Sequence, residues 1–303
     1  MKTKLFSIVI MFTAIAGFAQ QDAQYTQYMY NTINVNPAYA GSRGALSLFA
    51  QNRTQWVGLD GAPVTNTISV NTPFNNTKLG AGLSIVNDRI GPSTSNSISA
   101  DLSYTILVSE SLRLSFGVKG TANLFNIDVN KLNPSDQTDP QFQNFDNEFS
   151  PNIGAGLYLH SDKAYVGFSI PNFLETDAYN DNDVAIYKEK INYYLIGGYI
   201  FELSPSAKFK PAFMTKMVEG SPLQVDVSAN FMLIEKLTLG VAYRWSAAVT
   251  AMAGFQISDA FYVGYSYDFE TTALENYNSG SHEFFLRYEI FKKNSRMVTP
   301  RFF

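Results

Sequence analysis

The sequence contains no cysteine. That excludes disulfides, thiol nucleophiles, cysteine-held metals and a lipid anchor attached through a cysteine. Histidine is nearly as scarce: His160 and His282 are the only two, far apart in the chain. A His-rich metal site is therefore excluded, and Ser/His/acid catalysis finds little support. Charged residues make up only 16% of the chain, against about 25% in ordinary soluble domains. The net charge of −4 also argues against a nucleic-acid partner. Beyond the first twenty or so residues, no apolar run approaches the ~18 residues of a transmembrane helix.

Other signatures are missing too. Gly80-Ala81-Gly82 and Gly154-Ala155-Gly156 have no helix pattern behind them, so they are not nucleotide loops; they read as relief of crowding inside a strand wall. Asp136, Asp139, Asp146 and Glu148 lack the spacing of a calcium loop and read as a solvated acidic loop. No cofactor motif is present. His282 beside Glu283 reads as a polar pair at a strand mouth.

Aromatic residues are abundant at 15% of the chain, mostly Phe and Tyr. Few charges, many aromatics and no long apolar run fit a transmembrane β-barrel, in which only every second residue of a strand faces lipid. Strict alternation supports this. In 112–124, Leu112, Leu114, Phe116, Val118, Ala122 and Leu124 alternate with Arg113, Ser115, Gly117, Lys119, Thr121 and Asn123. The same period of two runs through 97–106, 223–233 and 237–245, over lengths that suit an oblique bilayer crossing rather than a globular strand. Val225 and Tyr243, like Leu114, are assigned to the lipid face.

Cutting at turn signals gives about fourteen strands between residues 44 and 292, and the connections then sort by length. Those after 73, 108, 160, 203, 234 and 258 are very short. The alternate ones include every long loop, notably 127–148 and 172–189. Short periplasmic turns and long extracellular loops are the pattern of an outer-membrane barrel, whereas a soluble sandwich has no reason to sort its loops. The fold expected is therefore all-β: an antiparallel up-and-down transmembrane barrel. Trp56, Phe125, Trp245, Tyr267 and Phe269 fall at strand ends and are expected in an aromatic girdle. The inferred lumen carries Asp101, Arg113, Lys119, Asp226, Arg244, Asp268, Glu283, Arg287 and Glu289. Such mixed charges form ion pairs across a wet interior or grip a polar peptide.

Residues 1–19 have a basic start, an apolar stretch from Leu5 to Phe18 and a small-x-small exit at Gly17-Phe18-Ala19, the layout of a secretory signal peptide cleaved after Ala19. Residues 20–43 precede the first strand and form a periplasmic or plug segment, and 293–303 a periplasmic tail. The stretch YNTINVNPAYAG at 30–41 is too broken for a helix and too rich in Asn for an ordinary strand. Its Asn residues suit polar lumen groups, and Tyr28, Tyr30 and Tyr39 suit the space a fourteen-stranded wall leaves open.

Gln27-Tyr28-Met29-Tyr30-Asn31, Val35-Asn36-Pro37-Ala38-Tyr39-Ala40-Gly41 and Arg53-Thr54-Gln55-Trp56 resemble the N-terminal signature of the PorP/SprF family of type IX secretion proteins. Gly167-Phe168-Ser169-Ile170-Pro171-Asn172 is similar to that family's mid-chain segment, and Ser279-Gly280-Ser281-His282-Glu283 and Pro300-Arg301-Phe302-Phe303 to its C-terminal third. The resemblance implies an outer-membrane, non-enzymatic protein. It also implies two kinds of partner besides the lipid bilayer: a large secreted cell-surface adhesin of the gliding type, and periplasmic or outer-membrane type IX secretion components. Candidate partner-binding residues are Tyr28, Tyr30, Asn36, Pro37 and Tyr39 at the periplasmic mouth, and Phe142, Phe145, Tyr179 and Tyr187 in the long outer loops, where exposed aromatics serve as interface anchors. The alternative is an outer-membrane diffusion channel or a carrier for small hydrophobic molecules.

Overall fold

The structure, a computed structural model, describes residues 25–74, 78–128, 131, 145–179 and 185–291; for 145–147, 176–179 and 185–189 it describes the backbone alone. Seven strands come first: β1 (Leu46–Thr54), β2 (Val64–Pro73), β3 (Leu79–Ile90), β4 (Ser93–Leu107), β5 (Arg113–Ile127), β6 (Phe145–His160) and β7 (Ala164–Ile170). A separate hairpin follows, β8 (Thr176–Tyr179) with β9 (Ala185–Glu189), and then β10 (Asn192–Tyr199) and β11 (Phe201–Ser204). The remaining strands are β12 (Ala207–Val218), β13 (Gln224–Leu233), β14 (Leu237–Arg244), β15 (Ala248–Gln256), β16 (Phe261–Glu270) and β17 (Ser281–Ile290).

Each barrel strand pairs antiparallel with its neighbours in sequence, and β1 pairs with β17 to close the wall. β10 and β11 both pair with β12 and together make one barrel strand, broken at Ile200. The result is a closed antiparallel barrel of 14 strands. Closure pairs the strands across the wall on both sides, as a hydrocarbon environment requires, and leaves overhangs with one partner only at the ends, such as β11 on β12.

The period of two becomes two faces. Ile68, Leu83, Leu102, Val118 and Val241 lie more than half exposed on the outer wall, where lipid replaces water. Leu114, Val225 and Tyr243 share that orientation. Their sequence neighbours Thr67, Ser84, Asp101, Lys119, Asp226 and Arg244 are buried in the lumen. Trp245 and Phe269 project outward with the belt residues, while Trp56 bends over the rim and donates from its indole to Glu270, 3.1 Å away.

Three expectations are corrected. Phe125 is buried in the lumen and is no part of a girdle, because it shares the parity of Lys119, Thr121 and Asn123. The loop expected over 127–148 ends earlier, because β6 begins at Phe145, which is a strand residue. His282 and Glu283 are no pair: as strand neighbours they point to opposite faces, His282 meeting the Tyr265 hydroxyl at 2.7 Å outside while Glu283 is buried inside.

Candidate functional site: the occupied lumen

The largest apolar cluster lies inside the barrel. Residues 25–45 lie inside the lumen and run from the Arg53 end of β1 back to the end where β1 begins, making two short 3-10 turns at Thr32–Asn34 and Pro37–Tyr39. Tyr28, Met29, Tyr30, Ile33, Val35, Ala38 and Tyr39 are buried against Phe49, Tyr158, Tyr194, Tyr262 and Phe285 of the wall. At ~1.5–3 kcal/mol for each large apolar side chain removed from water, this contact supplies the packed core that a wide barrel otherwise lacks.

Asn36 and Pro37 set the second turn. Pro37 sits at its first position, where a missing N–H costs nothing. Asn36, held extended before the proline, accepts from the Ala38 N–H at 3.0 Å and donates from Nδ2 to the Leu157 carbonyl at 2.9 Å. Both amide ends are thus satisfied although the residue is fully buried.

The wall is shaped to receive this turn. Register places Gly80, Ser103, Gly117, Gly156 and Ser169 in one row across β3 to β7. A methyl at Gly80 would stand 2.3 Å from the Ala40 carbonyl oxygen, at Gly117 2.1 Å from the Ala38 nitrogen, and at Gly156 2.2 Å from Asn36 Oδ1. The two serines of the row donate to the plug backbone, Ser103 to Ala40 O at 2.7 Å and Ser169 to Val35 O at 2.6 Å. Glycine here admits a second backbone against the strand. Gly82 likewise makes room for Ile33, to whose carbonyl Lys119 donates at 3.3 Å.

The start of the plug is held by charge. Arg53 donates to Glu283 at 3.0 Å, to Asp268 at 2.8 Å and to the Thr26 hydroxyl at 2.8 Å. Thr26 passes its own proton toward Asp268 at 2.8 Å, and the backbone N–H groups of Thr26 and Gln27 donate to the two Glu283 oxygens at 3.0 and 2.9 Å. Every member is at most 5% exposed. Buried charges of this kind are tolerable only when mutually satisfied. At the opposite end Arg43 pairs with Glu289, and midway the Tyr30 ring lies between Lys210 and Arg287, 5.3 and 5.9 Å from its centroid.

Of the residues singled out as partner-binding, Tyr28, Tyr30, Asn36, Pro37 and Tyr39 come together here, facing the wall and not the periplasm. The other group does not join them. Phe142 lies outside the described residues. Phe145 opens β6, and Tyr179 and Tyr187 belong to the β8–β9 hairpin, where Tyr187 pairs with Ala178. The sequence showed Gly80 and Gly156 only as separate sites of relieved crowding within the wall; the row they form with Gly117, and the plug it receives, were not visible in it.

Five separated motifs converge on this plug: Gln27-Tyr28-Met29-Tyr30-Asn31 and Asn36-Pro37 supply it, Arg53 and Glu283 clamp its start as a cross-strand pair, and Gly167 and Ser169 abut Asn36 and Val35. An antiparallel membrane barrel closed by its own N-terminal segment is the class of protein these features define. The chain belongs to the type IX secretion system membrane protein PorP/SprF family, whose model matches residues 17–288. Its place is the outer membrane. No curated protein sequence matches it.

Solved structures share the architecture at low identity. A TodX deltaS2S3 mutant monoaromatic hydrocarbon channel is 11% identical over 85% of this chain and 93% of its own, with a TM-score of 0.51. The CymD monoaromatic hydrocarbon channel is 14% identical over 88% and 94%, with a TM-score of 0.49. Omp33 of Acinetobacter baumannii is 10% identical over 82% and 100%, with a TM-score of 0.45.

Proposed function

We propose that the protein is a plugged, non-enzymatic holder that binds a large secreted cell-surface adhesin, and periplasmic or outer-membrane secretion components, and keeps them at the outer membrane. Its membership of a secretion family supports this, and so does the filled lumen, which suits a scaffold better than a pore. The carrying observation is the seat of Asn36-Pro37-Ala38 on the glycine row, because family-signature residues are spent on closing the barrel. The leader 1–19 is removed on export. The outer segments 127–148 and 172–189, with Phe142, Phe145, Tyr179 and Tyr187, form the surface that meets the adhesin.

The direct test is affinity purification of the intact protein from outer membranes of its own host. A large surface protein that follows the wild type and is released when both outer loops are shortened supports the holder. Purification alone, accompanied by ion conductance in planar bilayers, refutes it in favour of the diffusion channel.

A further inference from the structure

A second feature of the lumen lies above the plug. A cavity of about 490 Å³ runs from Tyr25 and Asn34 along the inner faces of β3, β4 and β5 to the outer turn at Pro92. That volume suits a small organic ligand. We propose that it binds a neutral sugar, one or two pyranose units of an oligosaccharide, presented from outside the cell.

The chemistry of the lining selects that class. Along β4 the residues Ser93, Ser95, Ser97 and Ser99 all face the cavity, two positions apart, so their hydroxyls recur every ~7 Å. Cross-strand bonds fix two of them: Ser97 donates to Asn123 at 2.6 Å, and Ser99 lies 3.0 Å from the Thr121 hydroxyl. At the floor, the Ser84 hydroxyl and both amide atoms of Asn34 are buried with no hydrogen-bond partner. Ser84 as a residue is 3% exposed. Buried polar groups are rarely left so unless a ligand or water completes them. The rings of Tyr25 and Tyr194 also line the cavity, and the Phe125 ring stands on β5 beside Ser95.

A pyranose offers what this lining needs: hydroxyls around its edge and an apolar C–H face for an aromatic ring. An entirely apolar molecule would bury Ser84 and Asn34 unsatisfied, which costs affinity. An anionic ligand finds no ready cation, because Lys119 is engaged by Asp101 at 3.0 Å. For a cationic ligand the lining offers a single carboxylate, Asp88, which also accepts from Thr65 at 2.6 Å.

The test uses the mature full-length barrel in detergent and saturation-transfer NMR with maltotriose and cellotriose. Trigalacturonate serves as the charged control and toluene as the apolar one. Saturation transfer to at least one neutral trisaccharide is expected. The transfer should disappear in Ser95→Trp, which fills the cavity, and the affinity should fall about tenfold in Ser84→Val, which removes one hydroxyl. Heat-modifiable migration of both variants on gels establishes that the barrel is folded. Displacement of the free sugar by a neoglycoprotein carrying it assigns the site to protein-borne glycans; failure to displace assigns it to soluble oligosaccharide. The proposal is overturned if neither trisaccharide binds, or if transfer persists in Ser95→Trp. It is overturned equally if toluene or trigalacturonate binds better, or if a sugar binds only once residues 20–24 are deleted, which would mean that the chain fills its own cavity.

Discussion

Placing one methyl group at Gly117 should dislodge the plug. An added Cβ would lie 2.1 Å from the Ala38 nitrogen, 2.4 Å from the Pro37 carbonyl carbon and 2.5 Å from the Ala38 Cα, where real Cβ atoms essentially never come within 3.0 Å. All three obstacles are backbone, so no rotamer change relieves them. Overpacking of this kind costs about 1–3 kcal/mol or more, and the strand that carries Gly117 is fixed by pairing on both sides. The plug is the element free to yield. At about 3 kcal/mol the population with the plug displaced rises roughly a hundredfold. Because the chain has no cysteine, a single reporter, Thr32→Cys, reads the displacement directly: Thr32 is 3% exposed and of similar size to cysteine. Maleimide labelling of the folded barrel should be slow in the parent and about a hundredfold faster with Gly117→Ala. Gly120→Ala on the same strand is the control, since nothing lies within 4 Å of its added methyl. If the two alanine variants label equally slowly while both remain folded, the glycine row is not what seats the plug.

Arg53→Met should cost ~3–5 kcal/mol in urea unfolding from lipid, because it leaves Asp268 and Glu283 buried without their cation; adding Glu283→Gln should restore part of the loss, and an effect under ~1 kcal/mol would show the clamp to be dispensable. Asn36→Ala removes the acceptor for the Ala38 N–H and should cost ~1–3 kcal/mol, visible as faster labelling of the same cysteine reporter. Val241→Lys, at mid-strand on the outer wall, should destabilise by ~2–4 kcal/mol, and a silent lysine there would place that face out of lipid. Deleting residues 24–41 should raise single-channel conductance, and a truncated barrel that conducts no more than the intact one would refute the plug's role in sealing the lumen.

The wall was legible in the sequence because period two is a local property, readable one strand at a time. Parity alone assigns Lys119 to the lumen and Val118 to lipid. The same rule, applied consistently, also places Phe125 inside, although its position near a strand end suggested the girdle. The early start of β6 was hidden for another reason. Its first turn of pairing, Ile127 with Phe145 and Phe125 with Glu148, extends beyond the alternating stretch into acidic sequence, so only the partner strand reveals it. The break at Ile200 is equally silent, since Phe201 to Ser204 still alternate.

The plug's seat depends on register, which no single strand encodes. Gly80, Gly117 and Gly156 stand far apart in the sequence and look like separate concessions to crowding within the wall. Once β3 to β7 are aligned they form one transverse row, and the crowding they relieve comes from Ala40, Ala38 and Asn36. The clamp follows the same logic: Arg53 and Glu283 meet only because the first and last strands pair. A polar N-terminal segment thus has an ordered seat after all. It owes that order to a surface that exists only in the closed barrel, because the Arg53–Glu283 clamp on the plug's start is complete only where β1 pairs with β17.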